Sequence, residues 1–273
     1  MAEPNEREYF LGTHDEELVR LGVQHRVWRP SVLDCWQRAG ITTGWRVMDI
    51  GAGPGYATID LAEIVGASGT VFAVERSARF LEALERERRR RELTNIRSRE
   101  MDLGGDRLEE SGLDATWCRW VACFVPSPEA LVAQISGALR PGGVAIFHEY
   151  ADYGAWRLAP RRPVFESFVE TVISNWRRTG GEPDVGLALP QLLTRSGFTI
   201  RQARPLSFAV RPRDFMWQWP ASFVYSHLDH LQAQGDADRQ WIDSVRRDLD
   251  DAARTPETLM ITPTVLEIIA ELA

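Results

Sequence analysis

Apolar positions along this chain follow two spacings, and the changes from one to the other lay out a series of strands and helices. Val47-Met48-Asp49-Ile50 is a short apolar run, and Thr70-Val71-Phe72-Ala73-Val74-Glu75 is a second, rich in β-branched residues. Both read as strands. Asn95 to Asp102, Asp114 to Val121 and Val144 to Phe147 continue the series. Helical periods lie between them. One opens near Tyr56, and one is capped by Ser77 and runs through Arg91. A third is capped by Ser127, with Pro128 in its first turn and Leu131, Val132, Ile135 and Leu139 at core spacing. Strands alternating with helices in this way predict an open, doubly wound, mostly parallel α/β sheet.

The flanks are patterned differently. Residues 15–40 read as two helical stretches, Glu16 to Arg26 and Pro30 to Arg38, the second with proline at its start. Glu149 to about Leu189 is an insertion holding an amphipathic helix, Pro163 to Arg178, then a glycine-rich loop, Gly180 to Gly186. Leu189 to Ser196 reads as a helix ended by Gly197, and Phe198 to Val210, split near Pro205, as the last two strands. Aromatic residues crowd Phe215 to Tyr225, and Asp236 to Ala273 reads as two more helices. The expected division is therefore a helical lid (1–40), a nucleotide-binding core (41–150), a helical cap insertion (151–189), the last core strands (190–211) and a C-terminal helical region (212–273).

The turn after the first strand carries the chemistry. Asp49-Ile50-Gly51-Ala52-Gly53-Pro54-Gly55-Tyr56 places three glycines at alternate positions behind an acidic residue. Glycines at a strand-to-helix turn let a ligand approach bare backbone, and an open α/β sheet binds its ligand there. The dinucleotide pattern Gly-x-Gly-x-x-Gly is not met, because the third glycine comes one residue early. A phosphate-binding loop is not met either, since Tyr56-Ala57 replaces the Lys-Ser or Lys-Thr pair. Asp49 would repel a pyrophosphate but suits a ligand with a cationic end, such as a sulfonium amino acid. Glu75 lies twenty residues after Gly55, where doubly wound folds place the carboxylate that binds a ribose diol.

On these residues the chain resembles the class I S-adenosylmethionine-dependent methyltransferases, whose signature is Asp/Glu-x-Gly-x-Gly-x-Gly. Leu139-Arg140-Pro141-Gly142-Gly143, just before the fifth strand, is a second mark of that family. The resemblance implies a Rossmann-like seven-stranded sheet, with S-adenosylmethionine as cofactor and S-adenosylhomocysteine as product. It implies cofactor contacts from Asp49, Gly51, Gly53, Gly55, Glu75, Arg76 and Arg119. Asp102 would accept from the adenine amino group, and Leu103 would flank the base. The N-terminal segment would lie over the cofactor as a lid, with Tyr9, Gln24 and Trp28 in contact. The 1–40 and 150–273 regions are similar to the quinone-type and natural-product small-molecule members.

His148, Glu149, Tyr150, Tyr153 and Trp156 follow the fifth strand, where side chains face the methyl donor. His148 is expected to serve as a proton acceptor, and Glu149, Tyr150, Tyr153 and Trp156 to line the acceptor's site. The expected reaction is methyl transfer to a small aromatic or apolar molecule at O, N or C. A cofactor-binding protein that transfers no methyl, or an RNA or protein methyltransferase, are the alternatives.

Composition narrows the partners. The net charge is −7, which argues against nucleic acid. The basic run Glu85 to Glu92 has its glutamates placed to pair with its own arginines. No apolar run approaches the length of a membrane span, and the polar N-terminus is unlike a signal peptide. Three cysteines without paired spacing fit a reducing cytoplasm. His227 and His230 lack a third ligand, so no metal is expected. The oligomeric state, monomer or homodimer, is left open.

Overall fold

The computed structural model describes residues 15–235 and 237–273. A long helix, α1 (Asp15–Ala39), leads into β1 (Arg46–Ile50), α2 (Tyr56–Val65), β2 (Thr70–Glu75), α3 (Ala78–Arg90), β3 (Ile96–Glu100), β4 (Leu113–Arg119), α4 (Pro128–Ala138) and β5 (Leu139–Asp152). There follow β6 (Arg157–Ala159), α5 (Pro163–Arg178), α6 (Leu189–Arg195), β7 (Phe198–Leu206), β8 (Ala209–Val210), α7 (Gln218–Gln234), α8 (Arg239–Arg254), β9 (Leu259–Ile261) and β10 (Thr264–Leu272).

Seven strands form the main sheet in the order β3-β2-β1-β4-β5-β10-β7. The pairs among β1 to β5 are parallel, and β10 is antiparallel to both its neighbours. This is the Rossmann-like, mostly parallel sheet that the sequence predicts. Chain order reverses between β1 and β4, and the crevice at their carboxyl ends is where this architecture binds ligands. Local chemistry sets the elements around it. Ser77 Oγ accepts from the Phe80 amide at 3.3 Å to start α3, and Ser127 Oγ accepts from the Ala130 amide at 3.1 Å to start α4.

Four expectations are corrected. The N-terminal segment is one helix, not two, and α1 runs straight through Pro30. A proline inside a helix costs roughly 3 kcal/mol through its lost amide and ring clash. Here Val27, Trp28, Val32, Cys35 and Trp36 are all buried on one stripe, and each such side chain returns about 1.5–3 kcal/mol. Burial wins.

The tail is not two helices. It is α8 followed by β9 and β10, and β10 inserts between β5 and β7. Its β-branched Val265, Ile268 and Ile269 are buried, the environment in which such residues favour strand. The stretch expected as the last two core strands divides: β7 forms the sheet edge, while β8 joins β9 and β6 in a separate three-stranded sheet. β5 is far longer than Val144 to Phe147, so residues 148–152 are still strand.

Candidate active site

The three glycines of the β1–α2 turn have positive φ angles, +66° at Gly51, +54° at Gly53 and +85° at Gly55, but they serve two different ends. A Cβ on Gly51 would lie 2.3 Å from Val121 Cγ2, and one on Gly55 would lie 2.3 Å from Leu84 Cδ1. Those two glycines admit neighbouring side chains. Among the described residues a Cβ on Gly53 would meet nothing within 4 Å, because it faces a cavity of about 340 Å³. Of the three, Gly53 alone is bare toward open space rather than toward a packed side chain.

Glu75, at the end of β2, is tied to this turn. Its Oε2 accepts from the Gly53 amide at 2.9 Å and its Oε1 from the Ser77 amide at 2.9 Å. Burial raises its pKa against those hydrogen bonds. Asp49 is also buried and accepts from Thr58 Oγ1 at 2.6 Å. Burial pushes its carboxyl up to about 6, opposed by the Thr58 bond and the charge of Arg119.

Of the residues expected to touch the cofactor, Asp49, Gly51, Gly53, Glu75, Arg76, Asp102, Leu103, Arg119 and Gln24 line one cavity. Gly55 does not, being packed on Leu84. Asp102 Oδ1 accepts from the Gly104 amide at 2.9 Å, which fixes the carboxylate at the cavity rim. Tyr9 lies outside the described residues.

Trp28 is corrected: it is fully buried beneath the cavity, ringed by Trp120, Phe208, Trp219 and His148. A helix that packs on the sheet hides its largest apolar side chain, whatever lies above it.

The residues after the fifth strand are corrected as well. His148, Glu149, Tyr150, Tyr153 and Trp156 are buried and none lines the cavity. Because β5 extends to Asp152 with packing on both faces, these positions belong to the protein interior. His148 Nε2 lies 3.0 Å from Glu267 Oε2 on β10, and burial lowers its pKa. Glu149 Oε1 accepts from the Val121 and Ala122 amides at 2.8 and 2.9 Å, so it pins the turn leaving β4. Tyr153 and Trp156 pack edge to face in an aromatic core with Trp176 and Phe165.

Sequence reasoning missed Trp117, Trp120, Phe124 and Thr179, which form the cavity's other wall. Trp120 stands at φ +53°, a left-handed conformation costing about 1–2 kcal/mol for a side chain of this kind. Its ring is stacked against Tyr150 at 5.6 Å and Trp219 at 5.7 Å, contacts that offset the strain. The Arg119 guanidinium lies over the Trp120 ring at 5.1 Å. Burial lowers the Arg119 pKa to about 10. The only signal that distinguishes Trp120 from the buried tryptophans is its position one residue past a strand end.

Two other clusters lie apart from the cavity. Cys35, His148 and Glu267 offer ligand atoms within 4.8 Å of one another, but Glu267 also pairs with Arg38 at 2.6 Å and Arg204 at 3.2 Å. Those guanidiniums already satisfy its charge and would repel a metal cation. On α3, Glu85 pairs with Arg88 and Arg89, and Glu87 with Arg90 and Arg91. The basic run is thus a self-paired helix face.

A Rossmann-like sheet with an acidic glycine turn, a carboxylate bonded back to that turn and a lined crevice at its switch point has the layout of a nucleotide-cofactor-binding α/β domain. Residues 48–147 match the family model of the methyltransferase domain. Over these residues the chain is similar to the class I S-adenosylmethionine-dependent methyltransferases, a family whose cofactor is S-adenosylmethionine.

Among curated proteins, the demethylmenaquinone methyltransferase of Lactococcus lactis is 25% identical over 56% of this chain and 56% of its own length. The chain spans about half the length of the curated relatives it matches. Among solved structures, the [4+2]-cyclase SpnF aligns with a TM-score of 0.57 at 17% identity, over 89% of this chain and 80% of that one. A phosphoethanolamine N-methyltransferase from Haemonchus contortus, solved with S-adenosylhomocysteine, aligns at 0.58 and 16% identity, over 97% of this chain and 60% of that one. At these identities the solved structures speak for the fold.

Proposed function

We propose that this protein binds S-adenosylmethionine in the crevice above β1 and β4 and transfers its methyl group to a small aromatic or apolar acceptor. The observation that carries the reading is the pairing of Gly53, bare toward the cavity, with Glu75, whose carboxylate is held on that same turn. The bound cofactor would supply a sulfonium methyl already activated for attack. Glu75 would accept from both ribose hydroxyls, and Asp102 from the adenine amino group, with Leu103 and Arg76 on the base. Asp49 would face the cationic amino-acid end, Arg119 its carboxylate, and Gln24 would close over it from α1. These residues fit the group because donors and acceptors lie on one lining and the approach over Gly53 is open.

Trp120 and Phe124 would form the wall against which a planar acceptor lies. The cavity lining contains no histidine and no cysteine among the described residues. The protein's main contribution is alignment and exclusion of water; the acceptor attacks with a lone pair on O or N or with a π pair at carbon, and its proton leaves to water or to a carboxylate of the lining. A small-molecule acceptor is supported by the chain's negative charge and self-paired basic helix, which leave little for an RNA or an acidic protein. Buried free thiols at Cys35, Cys118 and Cys123 support a cytoplasmic setting. Among the described residues no helix is long and apolar enough to cross a membrane.

Calorimetric titration with S-adenosylmethionine, S-adenosylhomocysteine and NADH tests the cofactor, and an acceptor screen read by S-adenosylhomocysteine release tests the transfer. Binding of the sulfur ligands without NADH is expected. Binding without S-adenosylhomocysteine release on the true substrate would point to a protein that holds the cofactor for another reaction.

A further inference from the structure

His25 sits on α1 with its ring between α2 and the tip of β4. Its two nitrogens face different partners: Nε2 lies 3.0 Å from Asp60 Oδ2, and Nδ1 lies 3.3 Å from Arg119 Nη2. A guanidinium can only donate. Nδ1 must therefore carry the lone pair and Nε2 the proton, which Asp60 accepts. Asp60 is itself held from the other side by Arg29, at 2.8 Å from Nε and 3.3 Å from Nη2. A continuous line of contacts thus runs from half-exposed Arg29 through Asp60 and His25 to the cavity wall.

Among the described residues, His25 is the only hydrogen-bond partner of the Arg119 side chain, and its Nη1 is buried without one. A guanidinium hydrogen-bonded to a neutral lone pair has no carboxylate in direct contact; Asp49 and Asp60 act on its charge only through space, which leaves its donors open to a further anion. A carboxylate partner would have consumed that charge; an imidazole fixes the geometry and leaves it. His25 is buried, and burial lowers its pKa, which favours the neutral ring that this arrangement needs.

We infer that His25 is a positioning residue. Locked by Asp60 in the tautomer with the proton on Nε2, it aims Arg119 at the α-carboxylate of the bound adenosyl amino acid. The inference rests on the proposed cofactor site and adds to it the group that sets the carboxylate-binding arginine.

The test compares two probes, S-adenosylhomocysteine and 5′-methylthioadenosine, which keeps the adenosine and sulfur but lacks the amino-acid end. Three variants separate the roles. His25→Gln can still donate toward Asp60 but removes the acceptor at Nδ1. His25→Asn keeps an acceptor near the Nδ1 position. Asp60→Asn can donate to Nε2 and so drive the proton onto Nδ1, against Arg119. His25→Gln and Asp60→Asn are expected to weaken S-adenosylhomocysteine binding by about tenfold or more, the scale of a hydrogen bond to a charged group. Methylthioadenosine affinity should stay as in the wild type, which also shows that the variants fold. His25→Asn should recover part of the loss.

Equal weakening of both probes would overturn the inference by showing a merely structural role. Unchanged S-adenosylhomocysteine affinity in all three variants would overturn it too. A wild type that binds S-adenosylhomocysteine no better than methylthioadenosine would mean that Arg119 holds no carboxylate. A wild type that binds neither probe would instead overturn the cofactor reading, and this inference with it.

Discussion

Glu75 Oε2 accepts a 2.9 Å hydrogen bond from the amide of Gly53, so the carboxylate ending β2 is bound to the one glycine of the β1–α2 turn that faces open space. The contact couples two parts of the cavity. Replacing Glu75 by Ala should weaken S-adenosylhomocysteine binding by about 1–3 kcal/mol, the cost of leaving the ribose hydroxyls and the Gly53 amide unpaired. Calorimetry reads this directly, and an unchanged affinity would show that Glu75 does not touch the ligand.

The glycines should separate stability from binding. Gly55→Ala drives a methyl into Leu84, so its main effect should be a lowered melting temperature. Gly53→Ala meets no atom and costs about 1–2 kcal/mol in the left-handed region, a few degrees in a chain of this size. Its ligand affinity should nevertheless fall at least tenfold, because the methyl occupies the approach. Thermal melts and titrations of both variants would expose a reversed order.

Glu149 gives the fold a pH dependence of known sign. Burial raises its pKa from 4.5 to about 7 against the bonds from Val121 and Ala122. A raised folded-state value means that the folded chain holds a proton the unfolded chain has released. This contribution is full below 4.5 and is lost as pH rises through about 7. The loss is at most about 3 kcal/mol. Glu149→Gln keeps an acceptor for both amides and cannot ionise. It should flatten the stability profile between these limits, measured by urea melts across pH; a profile parallel to the wild type would contradict this account.

His148→Leu, which removes the donor to Glu267, tests the reassignment of that residue. With His148 bonded to Glu267 in the interior, the variant should lower the melting temperature by several degrees, as a lost buried hydrogen bond of about 1–3 kcal/mol does. Ligand affinity and the pH profile of turnover should be unmoved. A turnover profile that loses an ionisation would restore His148 to the chemistry.

The first half of the sheet was legible because its signals are local. Three glycines behind an acidic strand end, serine caps and short apolar runs each specify structure within a few residues. β10 was not, since Val265 to Ala270, apolar but for Glu267, suits a helix or a buried strand equally. Only the gap between β5 and β7 decides it.

The candidate site divides the same way. Glu75 and Asp102 follow from position after a strand, whereas Trp28 and Trp120 are the same residue type with opposite fates. The difference is that Trp28 lies under the helix it belongs to, and Trp120 is turned outward by a strained backbone. His148 misled for a related reason: a strand end and a strand interior look alike until the partner strand is known. His25 and Asp60 were passed over because they stand on two helices far apart in sequence.

Among the described residues β7 pairs with the main sheet only through β10, a strand that arrives after two intervening helices and two strands of a small second sheet. The edge of the molecule is thus assembled backwards: the earlier strand must wait for the later one. Sheet growth from β1 outward can proceed on short crossovers as far as β5, and then stalls on a distant segment. Such a late, non-local closure slows folding relative to the local units. Until it happens, the outer flank of β5, which carries His148 and Glu149, lies open to wrong partners. Expression at low temperature or with chaperones should therefore matter more for this chain than its well-filled core suggests.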